Sequence, residues 1–270
     1  MRSNPISTDE LRNELKKRDT NVVYSFSNVL ETVDFGDNAE IRRRLELLQS
    51  LPSTFIIGLP PLIKIEFLQA LMAFWAKMQR TPPVLPFREQ WHQILSTKPL
   101  PPLKNYSLID IVLRVLAHNP GLGKNTVARL RYYMGEVGAD RARSPAERQG
   151  WNWFRGGVAN TLINCGFGNV RQGQLDDFCK WLAKRGDACP AWKLFRETQA
   201  AFTNNVGDGG QRGDPPDYSH VTAVPYVDSA TLDNRMRAYC LSAIRKLEKQ
   251  YPKHEFIAHC CVLRNLEEWL

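Results

Sequence analysis

The chain has 270 residues, 43% hydrophobic and 24% charged, a length and balance that exclude a disordered segment and let a core form without a disulfide or metal staple. No apolar run approaches the ~20 residues that cross a bilayer, and Met1-Arg2-Ser3-Asn4-Pro5 leads into a charged helix rather than a signal-peptide stretch, so a cytoplasmic protein with no membrane partner is expected. The net charge of +8 favours a polyanionic partner without specifying one, because clustered Lys and Arg release counterions from phosphates.

Ser7 followed by Glu10 has the pattern of a capping box ahead of Leu11 and Leu15, so the chain opens on a helix. Residues 21–25 form a short β-branched run suited to a buried strand. Asp37 and Glu40 repeat the start signal before a stripe of Ile41, Leu45 and Leu48, with Arg42, Arg43 and Arg44 beside it. Thr54 to Ile57 is a second strand. Pro60-Pro61 then opens a helix from Leu62 to about Met78, on whose apolar face Glu66 reads as a paired or snorkelling residue.

From Thr81 to Pro102 the chain is proline-rich and irregular. Residues 105–200 hold helical stretches and few strand signals. Asn204 to Pro216 is rich in Gly and Asp and reads as a mobile loop. The α/β rhythm then returns: a short helix from Asp217 to about Val224, a strand at 229–232, and a helix capped by Asp233 that carries Met236, Cys240, Ile244 and Leu247. Phe256-Ile257 is a final strand before a terminal helix. The expected organisation is an α/β domain of residues 1–78 and 206–270, with a short parallel sheet flanked by helices, interrupted by a mostly helical insertion at 79–205.

The chemistry-bearing stretch is Asp214 to Met236. Asp217 stands at a helix start, and Asp233 just past a short strand, where an open parallel sheet presents its ligand crevice. Carboxylates converging there suit Mg²⁺ or Mn²⁺, hard cations that take oxygen ligands. Both aspartates are equally good N-caps, and Asp228 reads as a turn residue.

This stretch resembles the C-terminal motif of bacterial PIN-like domains: Asp217 with His220, Pro225-Tyr226 with Asp228, and Thr231 with Asp233. Val23 to Glu31 looks like the family's strand leading into a Ser- and Glu-bearing helix start. The resemblance spans about residues 20–75 and 210–270. It implies a metal-dependent endoribonuclease, acting on RNA as a toxin or defence effector with an antitoxin or regulatory partner. Glu31, Asp217 and Asp233 would be its acidic positions, Asp228 an additional metal contact, Mg²⁺ or Mn²⁺ its ion, and His220 a brace. The family's first strand ends in an aspartate, and no such strand precedes the opening helix. Either the chain begins downstream of the true start or it is a degenerate member, which leaves a catalytically inactive RNA-binding or protein-interaction module as the alternative.

Other motifs carry less. Asn119 to Thr126 looks like a phosphate loop, but His118 stands where its first glycine belongs and a helix precedes it. Between Asn119 and Arg155 basic residues outnumber acids, with Trp151, Trp153 and Phe154 nearby. That combination suits either nucleic-acid stacking or helix packing. Six cysteines without C-x-x-C spacing read as free, mostly buried thiols, and His254, His259, Cys260 and Cys261 as structural.

Overall fold

The computed structural model describes residues 7–25, 28, 29, 31, 32, 37–89, 93, 107–118, 147, 150–205, 207, 208, 214–251, 261–264, 268 and 269. The chain is mixed α/β and divides by packing into two compact units, the first of residues 1–58, 87–127 and 270, the second of residues 59–86 and 128–269. The expected boundaries at 78/79 and 205/206 are a different cut of the same chain.

In the first unit, α1 (Thr8–Lys17) starts on the capping box: Glu10 N–H donates to Ser7 Oγ at 3.2 Å and Ser7 N–H to Glu10 Oε2 at 2.8 Å. β1 (Val22–Tyr24) pairs in parallel with β2 (Ser53–Ile56) in the register Val23 opposite Thr54. The connection between them includes α2 (Asn38–Ser50), started by Asp37, whose Oδ1 accepts from the Ala39 and Glu40 amides. The stripe seen in the sequence is the buried one, since Ile41 and Leu45 pack with Tyr24, Val29 and Phe55. Leu108 and Val112 of α4 (Leu108–His118) close this core.

The proline-rich excursion contributes a strand that was not expected. β3 (Phe87–Arg88) adds to β2 antiparallel, so the sheet is not purely parallel. β4 (Ser229–Thr231) pairs in parallel with β5 (Cys261–Leu263) as a separate two-stranded ladder. Among the described residues, then, the strands form two sheets rather than the single one expected.

The second unit holds α3 (Leu59–Trp75), α5 (Trp151–Asn164), α6 (Gln172–Ala183), α7 (Pro190–Asn204), α8 (Asp214–Val221) and α9 (Asn234–Gln250). α7 is its centre, packed against α3, α8 and α9. Leu194 and Phe202 of α7 meet Tyr218 and Val221 of α8, and Met236, Cys240, Ile244 and Leu247 of α9. On the α3 side Phe67 is fully buried, with its ring edge-on to Trp192 at 5.3 Å and to Phe178 at 6.4 Å. α7, expected in an insertion, instead shares one core with the C-terminal helices, because its apolar residues lie on both sides of the helix. Residues 256–257, most of the terminal helix, His254, His259 and Cys260 lie outside the described residues. Cys165, Cys179, Cys189 and Cys240 are buried, while Cys261 is exposed.

Candidate functional site

α8 begins at Asp214, with Pro215 and Pro216 in its first turn, where a missing amide costs no helical bond. Asp217 is therefore inside the helix, half-buried, and not its cap as the sequence suggested. His220 is half-buried in the last turn. The chain leaves α8 through a tight turn in which Ala223 N–H donates to His220 O at 3.0 Å and Tyr226 N–H to Ala223 O at 2.9 Å. Residues Val224–Tyr226 form a single 3-10 turn.

Asp228 is exposed in the bend that follows, and its backbone carbonyl accepts the Cys261 amide at 3.3 Å, which starts the β4–β5 ladder. Leu232 N–H, bonded to Leu263 O at 3.2 Å, ends it. Asp233 stands just beyond β4 as the N-cap of α9. A single oxygen, Oδ1, accepts from both the Arg235 and Met236 amides at 2.8 Å. Both bonds use the orphan donors of the helix start. The Asp233 side chain is exposed, and Oδ2 takes no part in the cap.

A further acid stands beside this helix start. Asp208, read in the sequence only as part of a mobile loop, accepts from Arg235 Nη1 at 2.8 Å and from the Tyr239 hydroxyl at 2.7 Å. Asn205 Nδ2 donates to the same tyrosine oxygen at 2.9 Å. Residues 206 and 209–213 of that loop lie outside the described residues.

Glu31 lies in helical backbone of the first unit and is half-buried, whereas Asp217, Asp228 and Asp233 belong to the second. At the carboxyl end of β1 stands Ser25, buried, whose Oγ donates to Asn28 Oδ1 at 3.0 Å. By donor type the predicted set fits Mg²⁺ or Mn²⁺, and Asp233 offers an oxygen outside its cap. Among the described residues, however, no three His, Cys, Asp or Glu side chains stand together as a metal-holding group.

Among the described residues, one strongly perturbed acid is the glutamate that the sequence presents as paired or snorkelling. Glu66 of α3 does not snorkel: it is 1% exposed. Oε1 accepts from the Ala191 amide at 2.8 Å and from the Tyr226 hydroxyl at 2.5 Å, and Oε2 from the Trp192 amide at 3.0 Å. Burial pushes its pKa up to about 7, against the Tyr226 hydroxyl, the two amides and nearby Lys193, all of which favour the carboxylate. Lys193 is itself buried, which lowers its pKa to about 8. Its Nζ donates to Leu182 O at 3.0 Å and to Arg185 O, and lies 4.6 Å from the Tyr251 ring centroid. The one sequence signal for this cluster was an acid on an otherwise apolar helix face.

Of the basic, aromatic segment, residues 119–146 and with them the phosphate-loop lookalike lie outside the described residues. Trp151 is exposed and stacks on Phe154 at 5.8 Å, and Arg196 covers Trp153 at 3.8 Å from its centroid. Phe154 packs edge-on to Trp192, so this aromatic group serves helix packing at least in part. No described helix is long and apolar enough to cross a membrane. Comparison with known proteins finds no matching family model, no matching curated protein and no matching solved structure.

Proposed function

We propose that this chain is a PIN-like, metal-dependent endoribonuclease whose chemistry centres on Asp217 and Asp233, with Asp228 adjacent. The observation that carries the reading is Asp233: an exposed carboxylate immediately after a parallel strand, held by a helix start through one oxygen while the other is outside the cap. That is the position from which an α/β crevice binds its ligand. Asp217 and Asp233 would hold Mg²⁺ or Mn²⁺, which when bound activates water and neutralises the leaving oxygen. The cap keeps the Asp233 carboxylate oriented before any ion arrives. The net charge of +8 supports RNA as the substrate class. A toxin or defence role with a cytoplasmic antitoxin or regulatory partner follows from the resemblance alone.

The test is cleavage of RNA by the full-length chain across a Mg²⁺ and Mn²⁺ titration, beside Asp233→Asn. Asparagine caps a helix as well as aspartate does, so the fold stays and cleavage is lost. Undiminished cleavage by Asp233→Asn removes this residue from the mechanism.

One observation favours a second reading, a catalytically inactive PIN-like RNA-binding or protein-interaction scaffold. β1, the first strand among the described residues, ends in a Ser25–Asn28 hydrogen-bonded pair instead of an acid. This reading expects salt-sensitive RNA binding with no metal-dependent cleavage.

A further inference from the structure

We propose that Glu66 is a positioning residue for the acidic stretch between Asp217 and Asp233, acting through Tyr226. The inference rests on the reading above, in which those aspartates carry the chemistry. Tyr226 lies between α8, which holds Asp217, and the bend and strand that lead through Asp228 to Asp233. The far end of this stretch is pinned by the β4–β5 ladder and by the Asp233 cap. Its middle is pinned by the tyrosine hydroxyl on Glu66 Oε1.

Glu66 is in turn held from two other directions. The Ala191 and Trp192 amides belong to the first turn of α7, where amides have no intrahelical partner. The residue before that turn, Cys189, has a left-handed backbone (φ 52°) and supplies no side-chain cap. A carboxylate from α3 takes over the capping role, so its oxygens are fixed by the helix start and cannot follow Tyr226 if the loop moves. The titratable groups facing it are Lys193 of α7, Cys189 just before that helix, and Tyr226 itself. With no solvent at Glu66 to replace a lost bond, freeing Tyr226 loosens the stretch that carries Asp228.

The experiment pairs backbone hydrogen exchange with Mn²⁺-dependent cleavage of RNA, on full-length wild type, Tyr226→Phe, Glu66→Gln and Glu66→Ala. Tyr226→Phe removes one O–H and leaves Glu66 and the α7 start in place. The expected result is exchange over residues 224–233 faster by about tenfold, equivalent to about 1.4 kcal/mol of local stability, with no change at Ala191 and Trp192. In cleavage, kcat falls and the Mn²⁺ concentration for half-maximal rate rises, while KM for RNA holds. Glu66→Ala reproduces the faster exchange and extends it to Ala191 and Trp192. Glu66→Gln, which keeps an oxygen for an amide and a donor for the tyrosine, recovers part of kcat. Unchanged exchange over 224–233 in Tyr226→Phe overturns the proposal, as does faster exchange there with wild-type kcat and Mn²⁺ requirement. A wild type that cleaves nothing removes the nuclease reading; faster exchange in Tyr226→Phe would still uphold the clamp.

Discussion

The Tyr226 hydroxyl and Glu66 Oε1 meet at 2.5 Å across 160 residues of chain, joining α3 to the turn between α8 and β4. Two amides of α7 close on the same carboxylate, so three separate segments of the second unit converge on one buried acid. That convergence makes the unit's stability depend on the protonation of a single side chain.

Glu66 holds its proton in the folded state up to about pH 7, whereas an unfolded glutamate loses it near 4.5. Between those values the folded state binds the extra proton, so the Glu66 contribution is fully present below pH 4.5 and is lost as pH rises through 7. Lys193 titrates in the folded state only near pH 8 and contributes no slope below it. Urea denaturation of wild type from pH 5 to 7 should show stability falling by about 2 kcal/mol. Glu66→Gln should flatten that fall, and an equally steep decline in the variant would assign it to another group.

Asp233→Ala should cost about 1 kcal/mol, because it strands the Arg235 and Met236 amides at the start of α9. Asp233→Asn should cost a few tenths at most. Thermal denaturation separates the two, and equal melting of the alanine variant and wild type would mean that the cap contributes nothing in solution.

Asp208 and Arg235 should couple. Their ion pair is mostly shielded from solvent, and the second Asp208 oxygen is held by Tyr239. A double-mutant cycle with Asp208→Asn and Arg235→Gln should return a coupling of about 1–2 kcal/mol. Additive losses would show a solvent-screened contact of no consequence.

Phe67→Ala should destabilise the second unit by about 3–5 kcal/mol, since it empties the space between the Phe178 and Trp192 rings. Phe67→Leu, which leaves a much smaller cavity, should recover most of that loss. Chemical denaturation followed by tryptophan fluorescence reports both, and an alanine variant within 1 kcal/mol of wild type, well below the usual cost of such a cavity, would mean that the site collapses to fill it.

What the sequence by itself determined is local. Ser7 with Glu10, Asp37 and Asp233 were each legible as helix starts, and each makes its bonds within three residues, where spacing decides geometry. The α2 and α9 stripes were legible because helical periodicity sorts apolar from polar faces. The parallel β1–β2 pair followed from a helix-containing crossover between two β-branched runs. Tertiary structure alone decided which edge β3 joins, that β4 pairs with β5 in a ladder of its own, and that α7 is shared core. It also decided that Asp208 is latched to Arg235 and that Glu66 caps a helix it does not belong to. No spacing rule reaches these contacts, since their partners lie 27 to 160 residues away and meet only when packing brings their elements together.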